Sequence, residues 1–140
     1  DAVFLNGNSN NFEEIKNKIY KINSKIKIFK TFYKISDKRK YDLNQKYLIF
    51  SGIGNPSEFK DILIENKFNI VRELIFPDHY EYNQSDFEKI KQKAKSENLS
   101  IITTEKDYMK VPLKLKKEIE FLNIDLIIQN EDKLIDLLNN

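Results

Sequence analysis

Short apolar runs that stop in polar loops, with helix-period stretches between them, constrain this chain more than any other feature. Tyr47-Leu48-Ile49-Phe50 is wholly apolar and runs into Ser51-Gly52-Ile53-Gly54-Asn55-Pro56-Ser57. Phe68 to Phe76 ends at Pro77, and Leu99 to Thr103 ends at Thr104-Glu105-Lys106-Asp107. A short run apolar at every residue predicts a strand covered on both faces, the habit of parallel sheets. After Pro56, which suits a first helical turn, Phe59, Ile62 and Leu63 recur at helix spacing. Phe87, Ile90 and Ala94 do the same, with Ser85 and Glu88 reading as a capping box at the start of their helix. This alternation predicts an α/β fold over residues 1–140 as one domain. The expected architecture is a mainly parallel sheet with helices on both faces, an α/β/α sandwich.

The ends of the chain carry weaker signals. Ala2 to Leu5 predicts a strand closed by Asn6-Gly7, and Asn8-Ser9-Asn10-Asn11 offers caps for a helix bearing Phe12, Ile15, Ile19 and Ile22. Lys25 to Ile35 alternates with β-branched and aromatic residues, as a half-exposed strand does. Ser36 to Gln45 is charged and reads as a solvated loop. Val111-Pro112 interrupts the chain, Ile119 to Ile128 reads as one last strand, and Asn130 caps a terminal helix with Leu134, Ile135, Leu137 and Leu138. The chain opens on Asp1 in strand-like sequence without a methionine, and is expected to be part of a longer protein.

Composition narrows the partners. The formal charge is +2, with 24 basic and 22 acidic side chains, so nothing pulls the chain toward nucleic acid. There is no cysteine, hence no disulfide and no thiolate metal site. No apolar run approaches the roughly 18 residues of a membrane span.

Three loops share one property: each follows the end of a predicted strand. In a parallel sheet the carboxyl ends of the strands lie along one edge, where ligands of open α/β sheets bind. That edge is expected to gather Asp78, His79, Glu105, Lys106 and Asp107. His79 is the only histidine in the chain, and histidine is the side-chain type best suited to proton traffic near neutral pH. Gly52, Gly54 and Asn55 form a glycine-containing turn into a helix N-terminus, whose free N–H groups suit a phosphate. A tight turn needing glycine for positive φ fits the same residues. Lys106 is placed to meet a phosphate, with Glu105 and Asp107 holding a metal or orienting the lysine. A local ion-pair cluster that fixes the loop fits equally. No GxxxxGK[ST] phosphate loop occurs.

Taken together, Phe50-Ser51-Gly52-Ile53-Gly54-Asn55-Pro56 with Phe59, Phe76-Pro77-Asp78-His79 with Tyr82, and Thr103-Thr104-Glu105-Lys106-Asp107 resemble the tetraacyldisaccharide 4'-kinase family. Asp1-Ala2-Val3 and Asn6-Gly7 fit the same pattern, so the resemblance spans the chain. It implies the C-terminal domain of a two-domain P-loop kinase, lacking the P-loop half, with 25–35 and 119–128 as inter-domain linker strands. It further implies ATP-dependent phosphorylation of the 4'-hydroxyl of a lipid disaccharide 1-phosphate, giving lipid IVA in lipid A biosynthesis. ATP and Mg2+ would be bound mainly by the other half. The partners it implies are the lipid substrate, the N-terminal P-loop domain and the cytoplasmic face of the inner membrane. By resemblance His79 and Asp78 are the catalytic candidates, His79 pairing with an aspartate of the N-terminal domain. Gly52, Gly54, Asn55, Glu105, Lys106 and Asp107 are substrate- or nucleotide-binding candidates. The competing reading is a stand-alone α/β binding module without catalysis, and the fragment alone is expected to be inactive in either case.

Overall fold

Backbone pairing sorts the strands of the computed structural model, which describes residues 1–7 and 11–139, into two sheets. In chain order the elements are β1 (Ala2–Asn6), α1 (Phe12–Ile22), β2 (Lys27–Ile35), β3 (Lys46–Ser51), α2 (Pro56–Glu65) and β4 (Asn69–Ile75). They continue with α3 (Gln84–Ser96), β5 (Ser100–Thr104), α4 (Glu105–Tyr108), β6 (Ile119–Leu122), β7 (Ile124–Ile128) and α5 (Glu131–Leu138). One sheet runs β1-β2-β7 and the other β4-β3-β5-β6. The chain divides into two compact units: Asp1–Lys34 with Ile124–Asn140, and Ile35–Asn123.

The second unit is built on β3, which pairs in parallel with β4 on one side and β5 on the other; β5 pairs in parallel with β6. Five successive residues of β3, Tyr47 to Ser51, are buried, so both faces of this strand are covered. Leu48 and Phe50 pack with Phe87, Ile90 and Ala94 of α3, joined by Ile101, Val111, Leu115 and Ile119. The alternate set, Tyr47 and Ile49 with Ile102, is equally buried and by strand geometry points the opposite way. Phe68 packs against Tyr47 with ring centroids 5.2 Å apart and the rings tilted by 56°. Helix α2 buries Phe59, Ile62 and Leu63, none of which belongs to the α3 cluster. Each such side chain contributes roughly 1.5–3 kcal/mol of transfer free energy, so this core is what sets β3 at the centre.

The path of the chain matters for function. From β3 it passes to a neighbour on one side, β4, and from β5 to a neighbour on the other, β6. At such a reversal the connections diverge and leave a crevice at the carboxyl edge. The loops after β3 and β5 flank it.

The first unit is a three-stranded sheet in which β1 lies parallel to β2. Helices α1 and α5 form where the apolar spacing placed them, yet neither has a buried residue. Of the proposed cap stretch, Asn8-Ser9-Asn10 lies outside the described residues, and Asn11 occupies the cap position without a side-chain bond. Asn130 precedes α5 in the left-handed region (φ 60°), also without a side-chain cap bond.

Several local expectations are corrected. The capping box of α3 is Asn83 with Asp86, not Ser85 with Glu88. Asn83 Oδ1 accepts from Asp86 N–H at 3.1 Å and Asp86 Oδ2 accepts from Asn83 N–H at 2.9 Å. Asparagine caps as well as serine, and the earlier start extends the helix by two residues while keeping Phe87 inward. The stretch 119–128 is two strands in different sheets, not one. Asn123 divides them because its N–H donates to the Tyr41 hydroxyl at 2.9 Å and its carbonyl accepts from Ser36 N–H at 3.0 Å. Neither group is left for a ladder. The solvated stretch 36–45 contains a 3₁₀ turn, Lys38–Lys40, capped by Asp37. The segment after β5 is the short helix α4 capped by Thr104, not an open loop.

Candidate functional site

The turn after β3 is shaped by how closely its neighbours approach. A Cβ on Gly52 would lie 2.9 Å from the Tyr82 hydroxyl and 3.2 Å from the Pro77 carbonyl oxygen. A Cβ on Gly54 would lie 3.3 Å from Asp78 Oδ2. Positive φ is not the reason for these glycines: among the glycines only Gly7 has it. Two of the N–H groups expected to face an anion are already taken. Gly52 N–H donates to Asp107 Oδ2 at 2.9 Å, and Glu58 N–H donates to Asn55 Oδ1 at 3.3 Å. Asn55 thus serves as the cap of α2, with Ser57 Oγ also donating to it at 2.8 Å.

The turn after β4 carries the histidine. Phe76 N–H donates to the Ser51 carbonyl at 2.8 Å, which docks the end of β4 onto β3. Tyr80 N–H donates to the Pro77 carbonyl at 3.1 Å and closes the turn. His79 sits within it at φ 58°, a conformation in which histidine is enriched among non-glycine residues. Its N–H donates to Asp78 Oδ1 at 2.9 Å. The imidazole is 79% exposed, with Nε2 3.7 Å from Asp78 Oδ2. From the turn after β5, Lys106 Nζ reaches Asp78 Oδ1 at 3.4 Å. Partial desolvation works to raise the Asp78 pKa, but the charge of His79 and the hydrogen bond and charge of Lys106 outweigh it. The carboxyl is held below its ordinary 3.8.

Beneath this exposed group lies a buried one. Asp107 has no exposed surface. Besides Gly52 N–H it accepts from the Thr104 hydroxyl at 2.8 Å, and Lys110 Nζ lies 3.3 Å from its other oxygen. Thr104 Oγ1 in turn accepts from Asp107 N–H at 3.2 Å, the cap of α4. The Tyr82 hydroxyl is buried and has no hydrogen bond of normal geometry among the described residues. Burial first, then the nearby Asp107 carboxylate, raise its pKa strongly.

The three strand-end loops therefore meet. Asp78, His79, Lys106 and Gly54 form an exposed group, and Gly52 and Asp107 form the support under it. Glu105 is exposed at the first turn of α4 and stands outside both. Sequence reasoning did not single out Lys110, whose only signal was its spacing of three residues from Asp107. The described residues hold no group of three His, Asp or Glu able to bind a metal ion. No described helix is long and apolar enough to cross a membrane.

Comparison with known proteins agrees with these motifs. The family model described as "Tetraacyldisaccharide-1-P 4'-kinase" matches residues 1–140. A tetraacyldisaccharide 4'-kinase of Pelagibacter ubique is 43% identical over 138 residues, covering 99% of this chain and 44% of the relative. A protein of the same name from Rickettsia typhi is 44% identical over 93 residues, covering 66% of this chain and 29% of its own length. One from Rickettsia bellii is 50% identical over 70 residues, half of this chain and 22% of that protein. The chain thus spans less than half the length of the curated relatives it matches. No solved structure matches it.

Proposed function

This chain belongs to the tetraacyldisaccharide-1-phosphate 4'-kinase family, and from that premise we propose that it forms part of an ATP-dependent lipid kinase. The reaction transfers the γ-phosphoryl group of ATP to the 4'-hydroxyl of a tetraacyldisaccharide 1-phosphate, giving lipid IVA in lipid A biosynthesis. A bond forms between the 4'-oxygen and the γ-phosphorus, the β–γ bridging bond breaks, and ADP leaves. The hydroxyl proton goes to a base. Mg2+, where bound, would neutralise charge on the phosphates, and it would be held with ATP mainly by a P-loop half of the full-length enzyme.

The part of this chain in that reaction is His79. Phosphoryl transfer depends on positioning and charge stabilisation more than on covalent chemistry. The observation that carries the reading is an imidazole 79% exposed on a pinned turn at the carboxyl edge of the sheet. There it is free to orient a carboxylate base supplied by the other domain. Asp78, 3.7 Å from the ring, and Lys106, 3.4 Å from Asp78, set its surroundings. A lipid substrate places the protein peripherally on the cytoplasmic face of the inner membrane.

In the full-length enzyme, His79→Ala is expected to lower kcat by about 10²-fold or more, with an unchanged melting temperature. Turnover near that of the parent enzyme would remove His79 from the mechanism. The 140-residue chain alone is expected to transfer no phosphate to the lipid.

A further inference from the structure

We propose that Asp107 is a positioning residue for the His79 turn and acts through Lys110; its catalytic consequence rests on the kinase reading above. Asp107 is fully buried and both of its carboxylate oxygens are engaged. Oδ2 takes the Gly52 N–H at 2.9 Å and the Thr104 hydroxyl at 2.8 Å, and Oδ1 faces Lys110 Nζ at 3.3 Å. The Lys110 ammonium also donates to the Tyr80 carbonyl at 2.9 Å and lies 5.2 Å from the centre of the Tyr82 ring. An ammonium has three donors, and here it meets a carboxylate, a carbonyl and a ring face. Tyr80 directly follows His79. The backbone on that side of the imidazole is therefore held by a cation whose own place is set by a buried anion.

The charge at 107 is the informative part. A neutral amide would satisfy Gly52 and Thr104, because one amide oxygen can accept both bonds. Burying a carboxylate is unfavourable unless it is paired and hydrogen-bonded. What the charge adds beyond an amide is a fixed Lys110, and through it a fixed Tyr80 carbonyl. The other hold on this turn, Lys106 on Asp78, joins two half-exposed side chains at 3.4 Å, a class of contact that is weak on its own.

The test uses the full-length enzyme with Asp107→Asn, Lys110→Met and the double variant. Asp107→Asn keeps the Gly52 and Thr104 bonds and turns an amide toward Lys110. Each single variant is expected to lower kcat about ten- to hundredfold, as misplacement of a catalytic group does, with KM for ATP and lipid nearly unchanged. The double variant should lose no more than Lys110→Met alone, since both break one link. Amide hydrogen exchange should rise in residues 77–82 and stay as it was in residues 52–55. If Asp107→Asn fails to fold, Lys110→Met carries the same kinetic and exchange expectations. Unchanged exchange at 77–82, or losses that multiply in the double variant, overturns the proposal. If exchange rises but His79→Ala and Asp107→Asn both turn over normally, the kinase role of His79 falls and the mechanical link stands. If His79→Ala is inactive and Asp107→Asn is normal, the positioning role falls alone.

Discussion

The two units of the chain use the same materials to different ends. In Ile35–Asn123, β3 is buried along most of its length and helices α2 and α3 each bury three side chains. In Asp1–Lys34 with Ile124–Asn140, only Phe29 and Thr31 are buried among the described residues, although α1 and α5 carry equally regular apolar spacing. Ile22, on the apolar face of α1, is 88% exposed. Periodicity thus reports that a helix has a side meant for burial, while burial itself depends on what lies opposite. Every residue of the candidate site belongs to the well-packed unit.

The widest separation between the units is expected from core truncation. Phe50→Ala should cost about 3–5 kcal/mol, whereas Ile22→Ala should stay within about 0.5 kcal/mol. Urea unfolding of the 140-residue chain reads both, and equal losses would erase the contrast. A pair of glycines sharpens it further. Gly52→Ala forces a methyl group against the Tyr82 hydroxyl and Pro77 carbonyl, and overpacking of that kind costs about 1–3 kcal/mol. Gly7→Ala, at φ 106°, should cost about 1 kcal/mol or somewhat more through the backbone alone. Pairing Gly52→Ala with Tyr82→Phe should recover part of the first loss and leave the second untouched, as thermal melts of the variants would show.

The smallest effect is electrostatic and confined to the site. The Asp78 pKa is depressed in the folded state. Its contribution is therefore present above the ordinary value of 3.8 and is lost as pH falls through the lower folded value. Carboxyl-carbon NMR of Asp78 should give a midpoint below 3.8, and Lys106→Met should move it upward. No movement would mean that Lys106 and Asp78 do not pair in solution.

Much of this was legible in the chain. Tyr47 to Phe50 announced a covered strand because a strand buried on both faces has no polar positions to confuse its pattern. Leu99 to Thr103 did so through Ile101 and Ile102, despite Ser100 and Thr103. Of the residues expected at that edge, Asp78, His79, Lys106 and Asp107 converge there and Glu105 does not. Parallel strands send their ends to one edge but do not aim each side chain. The cap of α3 was misplaced because Asn83/Asp86 and Ser85/Glu88 offer the same spacing two residues apart. The division of 119–128 was hidden because it depends on Tyr41, some eighty residues away, taking the Asn123 N–H.

The roles within the site lay outside local pattern. Thr104-Glu105-Lys106-Asp107 shows one lysine between two carboxylates, yet Asp107 is buried, Lys106 reaches Asp78, and Glu105 faces solvent. In sequence Gly52 fits an anion-binding turn and a positive-φ turn alike; in the structure it is wanted for its missing Cβ. By itself the sequence determined the class of fold and which loops share an edge, because those follow from periodicity and from the parallel run of the strands. The division of the strands into two sheets and their order within each came from tertiary structure. Which carboxylate is buried, which lysine it holds and how far the His79 imidazole stands into solvent were decided by tertiary structure. Those depend on distances of a few ångströms between segments remote in the chain.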